Sequence, residues 1–158
     1  MNLRKMILTA IMALTVGTVV NAQVFKGTTP FAQVGVSSGI AKVINLDAEV
    51  GAQAGNNRVS VVGQTFDSNE NVDRRYLVGI KYLRLIPIFA NLQGTASLTG
   101  KTRTDNTALY VIEPGVGLNA NFSNGLSLVA GVSTPISQAS SFRNRTTLAG
   151  NLGLKFNL

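Results

Sequence analysis

Asp47 and Glu49 are the residues of this chain best placed to do chemistry. They share one parity of an alternating segment, so an extended strand projects both carboxyls from the same face. Two neighbouring carboxyls can divide acid and base roles if their surroundings push their proton affinities apart. Little else is available. The 158 residues include no His and no Cys, which removes Ser-His-Asp and Cys-His catalysis, imidazole-ligated metals and disulfides. No phosphate-cradling loop is present, because the glycines fit strand positions, and no cofactor or metal is expected. The plainer reading of Asp47 and Glu49 is a structural one. Arg58, Arg75, Lys81, Glu113 and Lys155 fall on the same parity of other alternating segments, so carboxylates and cations share one face and can neutralise each other.

That face belongs to elements with a period of two. Leu46, Ala48, Val50, Ala52 and Ala54 alternate with Asp47, Glu49, Gly51 and Gln53. The same alternation runs through Ala32 to Ser37, Arg58 to Thr65, Arg75 to Tyr82, Ile88 to Leu98, Tyr110 to Asn119, Leu126 to Ser133 and Leu148 to Leu158. Period two means strands with two unlike faces. Eight such segments are expected, joined by short turns near 55–57, 84–87 and 122–125 and by longer polar links near 38–45, 66–73, 99–107 and 136–146. Short and long connections in strict alternation describe an eight-stranded antiparallel up-and-down β-barrel. Glu113-Pro114-Gly115 reads as a bulge or kink, since proline cannot donate to a strand ladder.

Two barrel classes use eight strands. A soluble lipocalin-like barrel keeps its apolar face inside and takes a small apolar ligand; a transmembrane barrel turns that face to lipid. The composition favours the second. Only 13% of residues are charged although 45% are hydrophobic, and the polar face is mostly Gly, Ser, Thr, Asn and Gln, too quiet for a solvated sheet surface. Arg84 is the single charge on the apolar parity, read as lying at a strand end where it can snorkel to headgroups. The segments suit a tilted membrane strand of about 9–11 residues. Tyr76, Tyr82, Tyr110 and Phe156 supply a thin aromatic belt without tryptophan.

The start of the chain has the plan of a secretory signal peptide. Arg4 and Lys5 precede an uncharged apolar run from Met6 to Val20, and small residues end it at Ala22. Residues 1–22 are therefore expected to be a cleaved signal, leaving one barrel domain over 23–158.

The signal, the alternating segments, "GIKYLRLIPIFANLQG", "VIEPGVGLNANFSNGLSLVAGV" and the closing "LAGNLGLKFNL" resemble the small outer-membrane β-barrel proteins of Gram-negative bacteria, the porin-like or OmpA/OmpX-like group. The resemblance covers residues 23–158 and implies residence in the outer membrane, both chain ends in the periplasm, and a structural, envelope-integrity or surface-contact role without catalysis. It also implies recognition of Leu154, Phe156 and Leu158 by the barrel-assembly machinery. Many members end on Phe; here Phe156 stands two residues before Leu158 on the same face.

The remaining charges sit in the longer links. Lys42, Lys101, Arg103, Arg143 and Arg145 are expected around the outer rim, where they could meet lipopolysaccharide phosphates; plain solvation is the simpler reading. The net charge of +7 does not imply nucleic acid as a partner, since the basic residues are not interleaved with exposed aromatics. Eight strands enclose an interior that side chains fill, which excludes a porin-width channel and leaves at most a narrow water path.

Overall fold

The computed structural model describes residues 27–39, 44–67, 74–104, 110–123, 125–137 and 148–158. Every regular element among them is a strand: β1 (Thr29–Gly39), β2 (Ile44–Ala54), β3 (Asn57–Asp67), β4 (Arg74–Phe89), β5 (Leu92–Arg103), β6 (Tyr110–Ser123), β7 (Leu126–Ser133), β8 (Ile136–Ser137) and β9 (Ala149–Asn157). All pairings are antiparallel. β2 to β6 pair in succession from β1, β6 pairs with β7, β7 with β9, and β9 returns to β1. β8 pairs with β6 at the same offset as β7, so the two are one stave with a break at Thr134-Pro135. The ring therefore has eight staves, and no sheet edge is left along the spanning strands.

The register fixes the shape. From Thr29 the partners run Gln53, Arg58, Leu83, Ser97, Gly115, Ser133 and Ala149, and the last of these pairs with Gly39 on the starting strand. One circuit thus climbs from residue 29 to residue 39. With ordinary strand spacing and rise, that stagger in an eight-stave barrel gives a tilt of about 40° and a backbone radius of about 8 Å.

Three short turns lie at one end. Gly55 takes φ +56 in the two-residue turn between β2 and β3, and Gly125 takes φ +101 between β6 and β7, conformations that favour glycine in tight hairpins. The third turn differs from the sequence expectation. Residues 84–87 do not turn; β4 continues through them, and the chain reverses at Ala90-Asn91. Pro87 does not stop the strand, because the Leu85 N–H already bonds to the Asn56 carbonyl, in the β2–β3 turn, at 2.7 Å. Two residues further on, the same side of β4 has no neighbour, and a missing donor there costs nothing. Arg84 is consequently inside β4 and not at its end, but it pairs with Asn57, the first residue of β3, and so lies at the level of the neighbouring turn.

Pro114 is also better accommodated than its sequence suggests. β6 passes through it without a register shift on the β5 side. Its carbonyl accepts from the Thr134 N–H at 3.0 Å, so its missing donor faces the break between β7 and β8. Proline cannot return the second bond of that pair, and the adjacent stave is interrupted there in place of a bulge in β6.

The side chains follow the alternation. On the outside, Ile80 is 65% and Leu154 42% exposed, with comparable valines, leucines and isoleucines on every stave. On the inside, Arg58 and Lys155 are each 2% exposed. This is the reverse of a soluble ligand-binding barrel.

Candidate functional site

The interior is built in layers, and each layer draws on several staves. Nearest the short turns is a plug. Phe31 of β1, Leu85 of β4, Asn119 of β6, Ser127 of β7 and Lys155 of β9 are the largest fully buried side chains among the described residues, and all point into this level. Two cations lie over the Phe31 ring. Arg58 Cζ is 5.5 Å and Lys155 Nζ 5.8 Å from its centroid, within cation–π range. Neither cation has a carboxylate partner among the described residues. Arg58 Nε donates to Gln53 Oε1 at 2.7 Å, and Lys155 Nζ donates to Asn157 Oδ1 at 2.6 Å. Asn119 Nδ2 donates to Gln93 Oε1 and Asn121 Oδ1, each at 3.0 Å, while its own Oδ1 has no partner.

At mid-height, Glu49 of β2 reaches across β3. Its Oε1 accepts from Ser60 Oγ at 2.7 Å and its Oε2 from Lys81 Nζ of β4 at 2.9 Å. Towards the opposite end, Lys101 of β5 bonds to Glu113 Oε2 at 2.5 Å and to Gln64 Oε1 at 3.0 Å. Ser133 Oγ donates to the other Glu113 oxygen, and Gln64 Nε2 donates to Ser37 Oγ at 2.8 Å. The two pairs flank a cavity of about 80 Å³ that Asp47, Gly35 and Asn151 also line. That volume has room for several waters, and Asp47 Oδ1, which lacks a hydrogen-bond partner, provides an acceptor in it.

Gly35 and Gly63 line this cavity. A Cβ on Gly35 would come within 2.6 Å of the Leu152 carbonyl oxygen, and one on Gly117 would overlap the Ala130 carbonyl. At both positions adjacent strands pass backbone against backbone.

This geometry supports ion pairing more than catalysis. Both oxygens of Glu49 and both of Glu113 are engaged by a lysine and a serine. Each of the four oxygens thus already accepts a hydrogen bond. Asp47 and Glu49 share a face, as their spacing predicts; among the described residues Glu49 forms an ion pair and Asp47 does not.

No protein-family model and no curated protein matches the sequence. Solved structures do match in shape. The N-terminal β-barrel domain of Pseudomonas aeruginosa OprF superposes with a TM-score of 0.64 at 12% identity, covering 84% of this chain and 98% of that one. Outer membrane protein H of P. aeruginosa, OprH, gives 0.64 at 15% identity, covering 82% and 99%. A de novo designed transmembrane β-barrel gives 0.59 at 17% identity, covering 85% and 98%. The chain has the fold of the small outer-membrane β-barrels. At these identities the likeness concerns the fold. That a designed barrel shares it is instructive, because strand number, stagger and face patterning suffice to specify this architecture.

Within this barrel, Asp47, Glu49, Arg58, Lys81, Glu113 and Lys155 all project inward. The backbone of Arg75 pairs with Phe66, and its side chain lies outside the described residues. The rim set is divided. Lys101 is not in a loop: β5 runs on to Arg103, and Lys101 is buried in the interior ion pair with Glu113. Arg103 is half-buried on the same parity near the end of β5. Lys42, Arg143 and Arg145 lie outside the described residues, as do the signal segment and most of the longer links. Leu154, Phe156 and Leu158 face outward along the last stave. Phe31 and Asn119 were not among the expected site residues. Phe31 stands two residues before Gln33 on the inward parity, and extending the alternation by one step would have placed it inside.

Proposed function

We propose that this protein is an integral outer-membrane barrel of a Gram-negative bacterium, with a structural or surface-contact role and no catalysis. The observation that carries the reading is the inverted distribution of side chains. Isoleucines, leucines and valines cover the outside of every stave, while both interior Lys–Glu pairs are enclosed by the barrel wall. An exterior of this kind is stable only against hydrocarbon, and a closed barrel is the one β-architecture that satisfies its backbone there. Small outer-membrane barrels supply the precedent in fold. Tyr76 and Tyr110 sit at the outward end opposite the short turns, and Phe122 and Phe156 near the short turns, as two interfacial girdles. Export by the 1–22 segment and delivery to the barrel-assembly machinery through Leu154, Phe156 and Leu158 complete the reading. So does contact of Lys42, Arg143 and Arg145 with lipopolysaccharide.

The experiment is fractionation of expressing cells, followed by gel electrophoresis with and without boiling. The reading expects the protein in the outer-membrane fraction, with boiled and unboiled forms migrating differently. A detergent-independent, soluble protein with a single mobility would contradict it. Neutralising Arg143 and Arg145 together should lower co-purifying lipopolysaccharide; unchanged association would remove lipopolysaccharide from the partners.

A further inference from the structure

Among the described residues, the largest fully buried side chains gather at one level of the barrel. At the short-turn end, Phe31, Arg58, Leu85, Asn119, Ser127 and Lys155 come from six of the eight staves, and all are essentially inaccessible. The middle is different: the 80 Å³ cavity opens between the Glu49–Lys81 pair and Lys101–Glu113. Towards the far end, Leu77 of β4 and Val111 of β6 are the buried apolar side chains among the described residues, and smaller polar ones such as Ser37 and Ser133 are buried with them. The charge is also uneven. The two carboxylates in ion pairs lie in the middle and upper layers, whereas the plug holds two cations against one aromatic ring.

We infer that the Phe31 layer is the permeability seal of this barrel, and that Arg58 and Lys155 make the sealed path selective for small inorganic anions. Phe31 blocks the path by volume. Its ring also holds the two cations in place, because both contact its faces. Removing the ring joins the polar cavity to the short-turn end. The cations then line the narrowest point, with no carboxylate at ion-pair distance from either among the described residues, and Glu49, which acts on both through space, is itself held by Lys81 and Ser60; such an arrangement favours anions over cations. The mid-barrel ion pair plays no part in closure, since the cavity beside it leaves space.

The inference rests on the barrel spanning a membrane, and the experiment separates the two. The purified full chain, its Phe31→Ala variant and a Glu49→Gln/Lys81→Gln double variant are reconstituted into planar bilayers in a potassium chloride gradient. Heat-modifiable migration of each sample reports folding and insertion independently of current. The parent should show no resolved steps. Phe31→Ala should gain discrete conductance steps, with the reversal potential shifted towards the chloride equilibrium value. Adding Lys155→Gln to Phe31→Ala should move the reversal potential back towards zero. The double variant, with Phe31 intact, should stay as silent as the parent. If Phe31→Ala does not fold, Phe31→Leu carries the same expectation, because leucine is smaller than the ring and offers the cations no π face. A folded but silent Phe31 variant, or a conducting Glu49/Lys81 variant, would put the seal elsewhere. A shift towards the potassium equilibrium value would overturn the role of the cations.

Discussion

Lys81 gives the clearest case of a residue whose role depends on its partner. It bonds Glu49, which is 6% exposed and accepts at both oxygens. Burying two charges costs much of what their attraction returns, so the pair contributes little net stability; removing one member leaves an uncompensated charge. Lys81→Met should therefore destabilise the folded barrel by roughly 3–5 kcal/mol, and adding Glu49→Gln should recover most of that loss. Urea titrations of the refolded protein in detergent would measure both. Equal destabilisation by the single and double variants would show that Lys81 acts through packing. Residue roles were partly legible in the sequence. Parity alone put Glu49, Arg58, Lys81, Glu113 and Lys155 on one face. It did not place Lys101, because Thr99, Gly100, Thr102 and Thr104 carry no apolar signal that marks a strand. Glu113 instead holds Lys101 through a pairing across β5 and β6 that only the register reveals.

At the scale of elements, β9 is the most sharply patterned. Leu152 and Leu154 point outward, while Asn151 points inward and lines the cavity. Leu154→Arg places a charge on the lipid face at a cost of about 2–4 kcal/mol near mid-bilayer, falling towards the interfaces. Asn151→Arg puts the same charge beside the interior carboxylates. Spontaneous insertion into lipid vesicles should fail or fall sharply for the first and be largely retained for the second; equal insertion would contradict the facing of β9. The prolines mark where local sequence misleads. Pro87 and Pro114 look like breakers, yet each directs its missing donor to a side where the neighbouring stave is absent or interrupted. A residue's hydrogen-bond obligation depends on what lies beside it, which no local pattern reports. Pro114→Val should therefore add one ladder bond to the Thr134 carbonyl, worth about 0.5–1.5 kcal/mol. Slowed amide exchange at residue 114 would show that bond.

The whole molecule depends on closure. The period-two segments gave eight strands and their alternating short and long connections. The stagger that sets radius and tilt was not readable, because it arises from pair-by-pair register around the ring. Glycines record that geometry indirectly: a Cβ on Gly79 would overlap the Gly100 carbonyl on the adjacent stave. Gly79→Val should block closure, leaving protein that migrates identically with and without boiling.

Site-directed spin labelling along β9 tests the inverted barrel most directly. The chain has no cysteine, so single cysteines can be introduced from 149 to 157 without background. In lipid vesicles, collisions with oxygen report hydrocarbon, and collisions with a water-soluble nickel chelate report a polar surrounding. Oxygen accessibility should peak at 150, 152, 154 and 156 and drop at 151, 153 and 155. The opposite phase, or no period of two, would contradict a barrel whose leucines face lipid and whose charges face inward.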